Sequence, residues 1–179
     1  MDFVSVRIIT SDVARLASFY ERVTGARASR LGEDFAELRT ARATLAIGSE
    51  RTVGLLAPGA ARPASNHAVI IEFLVDDVDR VHQDLAGFLD DVVTGPTTMP
   101  WGNRSLLFRD PDGNLVNFFT PVTPAAIEKF SRLRPTLSSW AAPQEDSEEG
   151  RWPARLFRRS PARNRARPAA RSAPSGSRP

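Results

Sequence analysis

A short pattern occurs twice in this chain, and that repetition constrains the fold more than any other feature of the sequence. Ile8-Ile9-Thr10-Ser11-Asp12-Val13-Ala14-Arg15-Leu16 returns as Phe73-Leu74-Val75-Asp76-Asp77-Val78-Asp79-Arg80-Val81. Each copy is a strand-like apolar run, a hydroxyl or acidic residue suited to cap a helix, and the first turns of an amphipathic helix. A second pair of segments follows in the same order, Phe35 to Gly48 and then Ser105 to Phe118. Two copies of one α/β unit predict a pseudo-symmetric domain with a cavity at its internal seam.

The first half opens with a β-rich run over 3–10, and Ser11 or Asp12 caps the next helix. In that helix Val13, Leu16, Ala17 and Tyr20 recur on one face, and Gly25 is a suitable stop. Short strands are predicted over 35–39 and 44–48, and a further strand over 53–56. Ala57-Pro58-Gly59 and Pro63 then break the pattern as a linker. The second half starts with a strand over 69–75 and a helix capped by Asp76 or Asp77, with Val78, Val81, Leu85 and Phe88 as its apolar residues. Thr94-Gly95-Pro96 and Met99-Pro100-Trp101-Gly102 read as an extended loop. Strands over 104–109 and 115–120 flank Asp110-Pro111-Asp112-Gly113-Asn114, whose Pro and Gly stand where a tight turn wants them. A final helix is predicted over 125–133, with Pro124 at its start.

Composition divides the chain. From Ser138 onward prolines recur among Arg, Ala and Ser, and Trp140, Trp152, Leu156 and Phe157 are the only large apolar residues. That is too little apolar surface to offset the entropy of ordering, so 138–179 is predicted to be a disordered tail and 1–137 the folded domain. The tail holds nine arginines and four carboxylates, a net of +5; the whole chain is +3, which leaves the body at −2. The basic pI therefore belongs to the tail, and a folded nucleic-acid surface is not supported; any nucleic-acid contact is assigned to the tail. The absence of cysteine excludes disulfides, thiolate metal sites and cysteine nucleophiles. No apolar run reaches membrane-spanning length and no leader pattern opens the chain, so the expectation is a cytoplasmic protein without membrane insertion.

The motifs together resemble a known family. Ser11-Asp12, Phe19-Tyr20 and Gly25 resemble the opening of the vicinal oxygen chelate superfamily, which includes glyoxalase I, bleomycin- and fosfomycin-resistance proteins and extradiol dioxygenases. Trp101-Gly102-Asn103-Arg104 and Phe108-Arg109-Asp110-Pro111-Asp112-Gly113-Asn114-Leu115 resemble its closing signature. The resemblance implies an α+β fold of two βαβββ modules, about 1–60 and 66–122, followed by a C-terminal helix. It further implies that the modules form a cup-shaped mixed eight-stranded sheet with helices on its outer face, commonly in a homodimer.

Metal-dependent members carry His or Glu at four inward positions. Carried onto this chain, those positions are Ser5, Ile70, Asn117 and Ile47, or Ala46 if the register shifts by one. Such residues do not make a divalent-metal site, and the chain has only His67 and His82. His82 reads as a surface residue of the second helix, and the odd offset of His67 from Ile70 puts it on the opposite face of a regular strand. The expectation is no metal and no cofactor.

Strand alternation extends the inward set to Arg7 beside Ser5, Glu72 beside Ile70, and Phe119 beside Asn117. Trp101, in the loop that borders the cavity in this family, is either a packed corner or a stacking wall for an aromatic ligand, and Arg104 reaches either the cavity or solvent. Arg7 and Glu72 either pair with each other in place of the lost metal or orient a polar ligand. Four readings stay open: a metal-free protein sequestering a small, partly aromatic ligand; a metal-independent isomerase or lyase with Glu72 as general base; a structural or regulatory domain with a closed, ligandless cup; and a metal-dependent lyase or dioxygenase, if the ligand register is misread.

Overall fold

The computed structural model describes residues 1–131. The expected tail from 138 onward, and the last residues assigned to the domain, lie outside the described residues. In chain order the elements are β1 (Ser5–Thr10), α1 (Val13–Thr24), β2 (Ala28–Arg30), β3 (Phe35–Arg39), β4 (Thr44–Ser49), α2 (Glu50–Gly54), β5 (Ile70–Leu74), α3 (Val78–Asp84), β6 (Val92–Thr98), β7 (Asn103–Arg109), β8 (Leu115–Pro121) and α4 (Pro124–Ser131). The eight strands form two four-stranded mixed sheets of matching topology, β1-β4-β3-β2 and β5-β8-β7-β6, so each half closes its own ladder. In each sheet the first strand pairs parallel to the last, and the other neighbours are antiparallel.

Local chemistry sets the two helix starts. Asp12 accepts from the Arg15 amide at 2.9 Å and Asp77 accepts from the Arg80 amide at 3.0 Å, so the second residue of each pair, Ser11-Asp12 and Asp76-Asp77, is the cap. Gly25 ends α1 in the left-handed region at φ 71°, where a side chain would be strained.

Three sequence expectations change. The segment over 53–56 is not a strand: Glu50 to Gly54 form α2, with the Thr52 hydroxyl donating back to the Ser49 carbonyl at 2.7 Å. The short β2 was not expected at all, because three residues carry too little alternation to register. The loop expected around Thr94-Gly95-Pro96 is the edge strand β6, with breaks in register on both sides of Thr94. An edge position with a bulge is where a strand tolerates proline, and the same residues hide its periodicity.

One core joins both halves. Ile8, Leu16, Ala17, Tyr20, Leu38 and Ile47 of the first module pack in the same cluster as Val78, Leu106, Phe108, Val116 and Phe118 of the second. Aromatic rings cross the junction: Phe19 lies 6.3 Å from Phe108, and Tyr20 6.3 Å from Phe73. The Tyr20 hydroxyl donates to Asp110 Oδ2 at 2.8 Å in a buried setting, and Arg15 pairs with Asp112 one turn earlier on α1. Burial first, then the neighbouring Asp110 carboxylate, holds the Tyr20 phenol far above its ordinary range, so it remains a donor.

Asp34 fixes the start of α2 against β3. Its carboxylate accepts from the Ser49 hydroxyl at 2.6 Å and from Arg51 Nε at 2.7 Å. Burial pushes the carboxyl upward, but the hydrogen bonds from Arg51 and Ser49 outweigh it and leave it below its ordinary value.

Two outcomes are expected. Tyr20→Phe should remove about 2 kcal/mol of stability in denaturant titrations, because a buried charge-assisted hydrogen bond is lost. A carboxyl lowered in the folded state contributes stability above its unfolded pKa, about 4, and that contribution disappears as pH falls through the lowered value. Asp34→Asn should therefore be less stable than the parent at neutral pH, and melting curves of the two should converge on acidification.

Candidate functional site

The alternation of β5, β7 and β8 sorts their side chains onto two faces. Phe73, Leu106, Phe108, Val116 and Phe118 enter the core. By register the opposite, concave face carries Leu74, Phe119 and Ser105 in one row and Glu72, Asn117 and Leu107 in the next. Asn103 lies one row further out, opposite Pro121, while Ile70, Leu115 and Arg109 form the row at the other end. Asn117 Nδ2 donates to Glu72 Oε1 at 2.8 Å. A carboxylate can only accept, so this contact fixes the amide and turns Asn117 Oδ1 the other way.

The helix α4 covers one end of this face. Phe130 packs on Phe119 with ring centroids 5.1 Å apart, and Ala126 is buried. The fit is close: a Cβ on Gly102, at φ 91°, would meet Thr123 Oγ1 at 2.0 Å. Trp101, the neighbour of Gly102, is two-thirds exposed at the rim. The remainder of the face is open, with Ile70 and Leu74 exposed.

The corresponding face of the first sheet holds Ser5, Arg7 and Ile9 on β1 in register with Thr44, Ala46 and Gly48 on β4. The Arg7 guanidinium lies 5.0 Å from the centre of the Phe35 ring. Arg7 and Glu72 do not pair with each other: the first stacks on Phe35 and the second accepts from Asn117.

The expected site residues therefore separate. Ile70, Glu72, Asn117 and Phe119 share the concave face of the second sheet, with Trp101 at its rim, and Ser5 and Arg7 lie on the matching face of the first. Arg104 is a correction. It pairs across the ladders with Thr120 and Thr98 on the helix-bearing face, where Nε meets Asp79 Oδ2 of α3 at 2.6 Å. Ile47 is a second correction: it is fully buried in the core, and Ala46 holds the concave position. His67 precedes β5 and is exposed rather than lying on a strand.

Two residues of this face went unnoticed in the sequence, Asn103 and Ser105. Their spacing of two in a strand otherwise built of Leu and Phe was the available signal. Both are buried, and Asn103 Oδ1, Ser105 Oγ and Asn117 Oδ1 have no hydrogen-bond partner among the described residues.

The family model of the Glyoxalase/Bleomycin resistance protein/Dioxygenase superfamily matches residues 2–118. The chain belongs to this superfamily. No curated protein matches it. A glyoxalase/bleomycin resistance protein/dioxygenase family enzyme from Burkholderia phytofirmans PsJN is 20% identical with a TM-score of 0.60, over 68% of this chain and 100% of that one. A glyoxalase/bleomycin resistance protein/dioxygenase from Nocardioides is 19% identical with a TM-score of 0.58, over 69% of this chain and 85% of that one. A structure named lactoylglutathione lyase from Agrobacterium tumefaciens is 19% identical with a TM-score of 0.53, over 66% of this chain and 92% of that one. At these identities the likeness concerns the fold.

Superfamily membership implies a divalent metal in some members, and the residues here do not fit one. The four inward positions, with the β4 register corrected, hold a hydroxyl at Ser5, a methyl at Ala46, an alkyl chain at Ile70 and an amide at Asn117. None is an imidazole or carboxylate, the donors such a site needs.

If Arg104 serves the helix face, Arg104→Gln should lower the melting temperature slightly. It should leave untouched the NMR shifts of Leu74, Asn117 and Phe119 on the opposite face.

Proposed function

We propose that this superfamily member is a metal-free small-molecule-binding protein that sequesters a partly aromatic ligand on the concave face of the second sheet. The observation that carries the reading is the exchange of chemistry on that face. At Ile70 and Asn117, where a metal site would need His or Glu, the chain presents an alkyl chain and an amide tied to neighbouring Glu72, beside exposed Leu74 and the Trp101 ring. An apolar surface with a few fixed polar groups is the usual composition of an organic-ligand site. Glu72 faces solvent and already accepts from Asn117, which supports orientation of a ligand over proton abstraction, a task that favours an enclosed site.

The proposal includes a homodimer. The edge strands β1 and β5 lie beside exposed Phe3, Val4, Val69, Ile70 and Leu74, an apolar border suited to a second copy. Sedimentation at micromolar concentration should give twice the chain mass, and a monomer would remove this part of the reading.

Zinc, nickel or manganese at micromolar concentration should leave the melting temperature unchanged, since only a ligand favouring the native state raises it. A rise of several degrees would reinstate a metal-dependent activity. In fluorescence titrations with small aromatic ligands, Glu72→Gln and Trp101→Ala should each weaken binding by about tenfold, the effect of losing roughly 1.4 kcal/mol. Their melting curves should match the parent's.

A further inference from the structure

Asn103 Oδ1, Ser105 Oγ and Asn117 Oδ1 set one region of the concave face apart. The three residues are 9%, 1% and 8% exposed, and none of these atoms has a partner among the described residues. A buried acceptor without a donor destabilises a fold, so native proteins hold few of them. Among the described residues there are four such side-chain atoms, and three share this face while the fourth belongs to Asp112. Register makes Ser105 and Asn117 diagonal neighbours across β7 and β8, with Asn103 next on the same side of β7. Diagonal neighbours stand roughly 7–8 Å apart, a gap that a planar or elongated group can bridge.

The chemistry of these atoms is one-sided. Asn117 Oδ1 is an acceptor because its own amide nitrogen is committed to Glu72, and the Ser105 hydroxyl oxygen accepts as readily as it donates. Beside them stands the Glu72 carboxylate. Basic side chains of this half are engaged elsewhere: Arg109 donates to the Gly113 carbonyl at 3.0 Å, Arg104 is on the other face with Asp79, and Lys129 lies over the Phe130 ring at 5.1 Å. What this set lacks is a group rich in N–H donors that carries positive charge. The neighbouring wall is aromatic, formed by Phe119 and Phe130.

We propose that the α4 end of the concave face is a subsite for an amine or amidinium group of the bound molecule. It would sit between Ser105 and Asn117, with Glu72 as counter-charge and the apolar part of the molecule against Phe119. The proposal rests on the small-molecule-binding reading above and names the ligand class. On this account Ser105 and Asn103 are retained for recognition at the expense of stability, a known trade-off at binding sites.

The test uses the full chain and three probes of one shape: benzamidine, benzyl alcohol and benzoate. Calorimetry and side-chain amide NMR should show benzamidine binding at least about tenfold more tightly than either other probe, with the Asn103 and Asn117 amide signals shifting. Ser105→Ala should leave the melting temperature of the free protein unchanged or raised, because its hydroxyl has no partner to lose. The same variant should reduce benzamidine affinity about tenfold and leave benzyl alcohol binding unaltered. If benzyl alcohol or benzoate binds as well as benzamidine, the nitrogen subsite is wrong while small-molecule binding stands. A melting temperature lowered by several degrees in Ser105→Ala would mean that a bound water or internal partner satisfies the hydroxyl, and would also overturn the subsite. If none of the probes shifts any signal on the face, both readings fall.

Discussion

The structure depends on α1 being buried by both modules. Its residues Leu16, Ala17 and Tyr20 are fully buried, in a core that includes the β-sheets of both halves. At the junction the apolar contact is made specific by one polar one, the Tyr20 hydroxyl on Asp110. Asp110 is held in turn by its own turn: Oδ1 accepts from the Asp112 and Asn114 amides, each at 2.9 Å, and Oδ2 from Asn114 Nδ2 at 2.8 Å. A carboxylate with this many donors is a rigid acceptor, so the docking position of α1 is set by the β7–β8 turn. The same turn reaches the linker, where Asn66 Nδ2 donates to Asn114 Oδ1 at 3.1 Å.

This arrangement decides which surfaces are free for chemistry. The helix-bearing faces of both sheets supply most of the shared core, which leaves the concave faces free to carry polar side chains. On the first sheet that face is lined by Ser5, Arg7 and the small residues Ala46 and Gly48. On the second it bears Glu72, Asn117, Ser105 and Asn103, part of them beneath α4. The halves of the repeat share a backbone but differ in what they offer: a cation stacked on Phe35 in one, a carboxylate tied to an amide in the other. The superfamily fold supplies the position of such groups, and the side chains supply the function.

Particular elements show how far the sequence could be read. The helix starts at Ser11-Asp12 and Asp76-Asp77 were legible to within one residue because a cap acts over three residues, and the turn at Asp110 because Pro and Gly have fixed backbone preferences. The strand β6 and the short α2 were not, since a bulge, a proline and a five-residue helix leave no clean period. Arg104 could not be placed from the sequence because a charged residue at a strand start fits either face. Only the pairing with Thr120 on one side and Asp79 on α3 places it. The one-residue ambiguity between Ala46 and Ile47 is of the same kind, since a shift of one reverses the face.

The sequence by itself determined the repeat, the two capped helices, the superfamily and the chemical poverty of the expected metal positions. Each of these is a statement about residue type and local spacing, which short-range physics makes readable along the chain. Only the tertiary structure decided that Glu72 would meet Asn117 rather than Arg7, and that Phe130 would cover Phe119. It also decided that the Asn103 Oδ1 and Ser105 Oγ atoms would be buried without partners among the described residues. These outcomes depend on cross-strand register and on the packing of α4, which join residues far apart in sequence and have no local signature.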